Sequence, residues 1–221
     1  KKACNVSDRR KTFEIARTDS RELMRFADKF DIDPVPPHVV KVFHRKPENL
    51  FDESKVPQEL WSTLFPYQKE GVKLIFNKFG GRALLADDMG LGKTRQALTF
   101  IGLSSHLSSN KRTLVVCPSY LRYHWQQAIQ EWLSKESQLV KKGNESLEGD
   151  ICIVSYDMLH KLGIGSGTFD IICCDESHYV KSRKTKRTKA ITPLLKSARY
   201  ALLITGTPAL NRPIELFSQL Y

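Results

Sequence analysis

The chain has 221 residues, 41% hydrophobic and 27% charged, enough for a sizeable core and too polar for a membrane protein. Thirty-five Lys and Arg against 24 Asp and Glu give a formal charge of +11, which points to a polyanionic partner, although a solvated basic face has the same arithmetic. No apolar run approaches the roughly 18 residues of a bilayer crossing and the Lys-Lys start leads into no signal-peptide core, so an intracellular protein without a membrane partner is expected.

In chain order, residues 1–60 are charged, proline-rich ("DIDPVPPH") and weakly periodic. Asp19 or Ser20 caps an expected helix through "RELMRFADKF", and the stretch reads as an N-terminal extension, either the end of a preceding domain or a brace on the core. From about Phe65 the pattern changes to short apolar runs alternating with amphipathic helices. Pro66 at the first helical position opens a helix whose Val72, Ile75, Phe76 and Phe79 form one stripe, ending at Gly80-Gly81. Strands are expected at Ala83–Ala86, Thr113–Cys117, Ile151–Ser155, Phe169–Cys174 and Ala201–Thr205, all too uniformly apolar for half-exposed strands. Ser119 would cap a helix with Leu121, Trp125, Ala128, Ile129, Trp132 and Leu133 on its inner face. The alternation predicts an α/β fold, a mainly parallel sheet covered by helices on both faces, with ligands beyond the carboxyl ends of the strands.

None of the five cysteines forms a CxxC pair, and Cys117, Cys152, Cys173 and Cys174 lie in or beside strand-like runs. Reduced core thiols in a reducing compartment are expected, with no structural metal. Residues 181–200 hold eight basic residues and no acid, a candidate phosphate-contacting segment that could equally be an exposed helix or a localisation tract.

"LLADDMGLGKTRQAL", residues 84–98, ends as a phosphate loop does, in Gly92-Lys93-Thr94, but Asp87 stands where GxxxxGK[ST] has its first glycine. Gly90 and Gly92 still allow the turn, Lys93 can reach the β- and γ-phosphates, and the Thr94 hydroxyl can bind Mg²⁺. The strand-like "RALLA" before it and the helical "TRQALTFIGL" after it put the phosphate at a helix N-terminus. "FDIICCDESH", residues 169–178, supplies the complement. Asp175, at the end of a buried strand, would hold Mg²⁺, and Glu176 would orient or deprotonate the attacking water. His178 could bridge this site to a neighbouring element or be a plain surface histidine.

"LFPYQKEGV", "ADDMGLGKT", "LVVCPSYLRYHW", "DESH" and "LLITGTPALNRP" stand in the order and approximate spacing of the first five motifs of the Swi/Snf-type ATPases of helicase superfamily two, which this chain resembles over about residues 60–221. That family has an acidic pair and Met before Gly-Leu-Gly-Lys-Thr, so the loop resembles its own variant, with Asp88 where many members have Glu. "DESHYVKSR" and "GTPALNRPIELF" look most like the fork-remodelling, strand-annealing branch. A nucleosome-remodelling ATPase is the near alternative, and a non-enzymatic DNA- or protein-binding module the distant one.

The resemblance implies a first RecA-like lobe over residues 61–221, with a second lobe outside this chain. The start without Met and the stop at Tyr221, inside a helical pattern from Pro213, suggest a fragment. ATP would be held by Gln68 at the adenine edge, with Phe65 or Tyr67 against the base, and by Asp88, Met89, Gly90, Leu91, Gly92, Lys93 and Thr94. Magnesium would sit on Thr94 and Asp175, and Lys93, Asp175 and Glu176 would carry catalysis. His178, Thr205, Gly206 and Thr207 would couple nucleotide state to DNA grip. Branched or double-stranded DNA would be read through its backbone by Pro118, Ser119, Tyr120, Ser155, Tyr156, Lys181 and Arg183. Tyr120, Tyr123 and Trp125 fit helix-face packing as well; Trp125 is favoured as core. A nuclear location is expected, and the chain alone should bind nucleotide weakly and turn it over hardly at all.

Overall fold

A computed structural model describes residues 50–182 and 184–207. The helix expected through residues 21–30, the one from Pro213, Cys4 and Arg183 lie outside the described residues. The elements are α1 (Gln58–Thr63), α2 (Pro66–Asn77), β1 (Arg82–Leu85), α3 (Lys93–Leu107), β2 (Thr113–Cys117), α4 (Arg122–Leu133), β3 (Gln138–Leu139), β4 (Ile151–Ser155), α5 (Tyr156–Leu159), β5 (Ile171–Cys174), α6 (Lys186–Ser197) and β6 (Tyr200–Ile204), with short 3₁₀ turns between some of them.

All pairings are parallel, and the strand order is β1-β6-β5-β2-β4-β3. Successive strand residues face opposite sides of a sheet, so a strand covered twice must be apolar throughout. Thus Val115, Cys117, Ile153, Cys173 and Leu202 pack under one layer with Leu60, Phe76, Phe100, Ile101 and Trp125 from α1 to α4. Their neighbours Leu114, Val116, Val154, Ile172, Cys174 and Leu203 pack under the other, with Tyr156, Leu159, Ile191 and Leu194 of α5 and α6. Helices therefore cover both faces, as the uniformly apolar runs imply.

The five expected strands are present within about two residues of their predicted ends. Pro66 does open α2, where its missing N–H costs nothing. Phe79 departs from its stripe: α2 ends at Asn77, and Phe79, beyond it, is 45% exposed. Ser119 does not cap α4. It sits in a 3₁₀ turn, and α4 begins at Arg122 with no side-chain cap. Residues 50–64 pack on the core through Val56, Leu60, Trp61 and Leu64. Among the described residues no helix is long and apolar enough to cross a membrane.

Because every strand runs the same way, the segments after β1, β2, β4, β5 and β6 all emerge at the carboxyl edge. Three of them carry the candidate site residues.

Candidate active site

The segment after β1 is the candidate phosphate loop. Gly90 and Gly92 take φ of 82° and 70°, the left-handed region that other residues enter only at a cost, and Gly92 is the N-cap of α3. The 15-residue α3 thus presents its unpaired N–H groups and the positive end of its dipole to the loop. Among the described residues the only non-glycine positions with positive φ are Ser134 and Glu176, so Asp87 has a backbone any residue can adopt. No glycine is required where the usual pattern has its first one. Asp87 uses its side chain instead: its Oδ2 accepts from Nε2 of Gln96, a fully buried residue of α3, at 3.1 Å.

The Lys93 ammonium donates to the carbonyls of Asp87 (2.8 Å) and Asp88 (2.7 Å), both in the loop. Gln68 is 2% exposed, and its amide is engaged at both ends. Its Nε2 donates to Leu91 O at 2.9 Å, and its Oε1 accepts from the Phe65 N–H at 2.9 Å. Gln68 therefore ties the start of α2 to the phosphate loop. Phe65 and Tyr67 are stacked at 5.9 Å and exposed beside it. Met89 is 74% exposed.

The segment after β5 is built in the opposite manner. Asp175 is partly buried, its N–H bonded to Val116 O at 2.8 Å. Its Oδ2 accepts from the Trp125 indole at 2.9 Å, and its Oδ1 from the Glu176 N–H at 2.9 Å. Burial pushes the Asp175 carboxyl above the usual carboxylate range, opposed by the Trp125 and Glu176 hydrogen bonds and by the charge of Lys93. Glu176 takes φ of 49°, a strained conformation for a side-chain-bearing residue at a turn rich in chemistry. Its Oε2 lies 3.1 Å from His178 Nδ1.

The segment after β6 completes the group. Thr205, fully buried, places Oγ1 3.2 Å from His178 Nδ1 and accepts from the Thr207 N–H at 3.1 Å, while Thr207 Oγ1 lies 3.4 Å from the same nitrogen. A Cβ on Gly206 would come within 2.8 Å of Met89 Cγ, so this turn also presses on the phosphate loop. His178 thereby joins Glu176 to Thr205 and Thr207.

Asp175 keeps two carboxylate lone-pair sites beyond those taken by Trp125 and Glu176, and Thr94, the second residue of α3, carries a hydroxyl. Such sparse oxygen donors suit Mg²⁺, which is bound by one or two carboxylates plus phosphate oxygens rather than by an all-protein cage. No group of three or more His, Cys, Asp or Glu residues able to hold a metal occurs among the described residues.

The expected DNA contacts divide. Ser119 and Tyr120 are exposed, Tyr120 by 70%, whereas Pro118 is buried. The side chains of Ser155 and Tyr156 are buried, against expectation: Tyr156 packs in the core, stacks on Tyr179 at 5.4 Å and donates its hydroxyl to Asp175 O at 2.7 Å. The family resemblance implied a DNA contact here, but the start of α5 turns this tyrosine inward. Lys181 is partly buried. On α6, Lys186 and Lys189 are exposed, while Arg187 pairs with Asp157 at 2.8 Å and lies over the Tyr179 ring. Sequence reasoning missed Gln96 and Trp125 as polar partners of the site. A buried indole N–H requires an acceptor, but nothing in the spacing named Asp175.

The SNF2-related domain model matches residues 67–221. A SWI/SNF-related matrix-associated actin-dependent regulator of chromatin subfamily A-like protein 1 of Xenopus tropicalis is 37% identical, over 90% of this chain and 22% of its own length. The human DNA annealing helicase and endonuclease ZRANB3 is 36% identical over 83% of this chain and 18% of its own length. The chain therefore spans about a fifth of these relatives. Among solved structures, the Sulfolobus solfataricus SWI2/SNF2 ATPase core in complex with dsDNA matches with a TM-score of 0.64 and 26% identity, covering 77% of this chain and 37% of that one.

Proposed function

This chain belongs to the SNF2-related domain family, and from that premise we propose that it is the ATP-binding first lobe of a DNA-dependent ATPase and translocase that remodels or anneals branched DNA such as replication forks, in the nucleus. The observation that carries the proposal is the convergence of the phosphate loop, the Asp175-Glu176 turn and the Thr205–Thr207 turn on one sheet edge, joined by His178. The relatives, a chromatin regulator and an annealing helicase by name, support the choice of substrate.

Lys93 would leave the carbonyls of Asp87 and Asp88 for the β- and γ-phosphates while the first N–H groups of α3 bind the same oxygens. Thr94 and Asp175 would hold Mg²⁺, which supplies charge neutralisation of the phosphates when bound. Glu176, turned by its left-handed backbone, would accept a proton from the attacking water. Gln68 already spends its amide on the loop, so reading the adenine edge requires it to exchange the Phe65 or Leu91 bond for the base. His178 and Thr205 would pass a change at Glu176 to the segment after β6, and through Ser119, Tyr120, Lys181 and Arg183 the lobe would hold the DNA backbone, with electrostatic, salt-sensitive affinity.

A second lobe would supply arginines for the developing charge, and such arginine fingers are worth roughly 10³ to 10⁵ in rate. The test is ATP hydrolysis with and without forked DNA, by this chain and by a longer chain that carries a second lobe. Turnover confined to the longer chain and stimulated by the fork is expected. Brisk DNA-stimulated turnover by the short chain, abolished by Lys93→Ala, overturns the first-lobe proposal; no turnover by either, with DNA still bound, favours a scaffold.

A further inference from the structure

Asp175 is held more closely than any other acid of the site, and by residues the chemistry above does not use. Trp125 of α4 is fully buried, and a buried indole N–H without an acceptor would be costly. It donates to Asp175 Oδ2 at 2.9 Å. Tyr156, the first residue of α5, donates its hydroxyl to the carbonyl of the same residue at 2.7 Å, its ring fixed in near-parallel stacking on Tyr179. One aromatic thus fixes the carboxylate and the other the backbone that carries it.

The two donors arrive from different sides. Trp125 belongs to the layer under α1 to α4 and Tyr156 to the layer under α5 and α6, so Asp175 is gripped between the two cores of the sheet. Each donor also lies in the helix that follows a strand end at the carboxyl edge: α4 after β2 and the exposed Ser119 and Tyr120, α5 after β4.

We propose that Trp125 is a positioning residue for the metal-binding carboxylate: its indole N–H sets the rotation of Asp175 so that the remaining lone pairs face the divalent cation that accompanies ATP, while Tyr156 fixes the height of the strand end. The inference rests on the ATPase reading above. A donor behind a ligating carboxylate fixes its orientation, and loss of such a donor typically weakens metal binding about 10- to 100-fold.

Mn²⁺ titration of the chain with a non-hydrolysable ATP analogue, followed by electron paramagnetic resonance, tests this directly. Trp125→Phe is expected to raise half-saturating Mn²⁺ about tenfold, leave analogue binding in EDTA unchanged, and keep the metal-free fold by circular dichroism. Replacing Trp125 with benzothienylalanine keeps the bicyclic ring and removes only the N–H. It should reproduce the shift, and it decides the matter if Trp125→Phe fails to fold. Tyr156→Phe should give a smaller shift in the same direction. Titration of the benzothienylalanine chain within twofold of wild type overturns the positioning role and leaves the ATPase reading standing. Failure of the wild-type chain to bind Mn²⁺ with the analogue overturns both.

Discussion

The turns after β1 and β5 lie on one sheet edge and would meet one ligand, yet they are built by opposite rules. The phosphate loop is open. Its glycines supply the turn, Met89 and Leu91 are exposed, and Lys93 makes its bonds to the loop's own carbonyls, which phosphate oxygens would replace in the proposed site. The turn after β5 is closed, with Asp175 partly buried and bonded on three sides and Glu176 held in a left-handed backbone. Reorganisation is tolerated in the first turn and not in the second. A loop that wraps a triphosphate can rearrange around it, but a carboxylate must be oriented beforehand, because a displacement of about 1 Å can cost about 100-fold in rate.

The largest expected effects break the site on each side in turn. In the longer chain that carries a second lobe, Glu176→Gln should lower turnover about 10²- to 10⁴-fold for loss of a general base, while ATP binding persists. Lys93→Ala should instead lose the binding, which a fluorescent ATP analogue would register. If Glu176→Gln hydrolyses ATP at the wild-type rate, Glu176 is not the base.

Next in size is a contrast inside the loop. Gly92→Ala puts a Cβ 2.4 Å from Gln68 Nε2 in a left-handed backbone, whereas Gly90→Ala meets nothing within 4 Å. Backbone strain of roughly 1 to 2 kcal/mol is common to both, and displacing Gln68 from Leu91 adds about 1 kcal/mol at Gly92 only. Urea unfolding should therefore rank Gly92→Ala below Gly90→Ala, and equal midpoints would mean that the Gln68 tie is worth nothing.

Thr205→Val removes the buried hydroxyl between His178 and the Thr207 N–H, at a cost of about 1 to 3 kcal/mol for the groups left unpaired. In the longer chain it should also reduce stimulation by DNA more than basal turnover. An equal fall in both rates would place Thr205 in the fold alone.

The smallest effect expected is none at all. Burial pushes the Cys117 thiol up to about 12 and raises Cys173 and Cys174 further above their usual range. The neutral thiol is therefore kept until pH far above 8, and the reactive thiolate is scarce below it. Iodoacetamide at pH 8 should leave Cys117, Cys152, Cys173 and Cys174 unlabelled in the native chain and label all four in urea, read by peptide mass mapping. Native labelling of Cys173 or Cys174 would show that the strand leading to Asp175 is not closed.

Strands buried on both faces were legible because nothing polar interrupts "TLVVC" or "ICIVS", and the phosphate loop because its glycines and lysine have few other uses in that order. The short strand Gln138–Leu139 was not, since two partly buried residues carry no period. The six-residue α1 was too short for one as well. Within the site, residue types announced Lys93, Asp175 and Glu176 but not what holds them. Gln96 looks like any helical glutamine, and Trp125 like any core aromatic, until the fold sets one against Asp87 and the other against Asp175. Tyr156 was misread for the same reason, since its hydroxyl is explained only by a carbonyl 19 residues away.

The most direct test of the central claim is Mg²⁺-dependent binding of a fluorescent ATP analogue to this chain, compared with Lys93→Ala and Asp175→Asn. Binding that Mg²⁺ strengthens, that disappears with Lys93→Ala and that Mg²⁺ no longer strengthens with Asp175→Asn is the predicted result. Binding that is indifferent to Mg²⁺ and unchanged in both variants would contradict the assignment of this sheet edge as the nucleotide site.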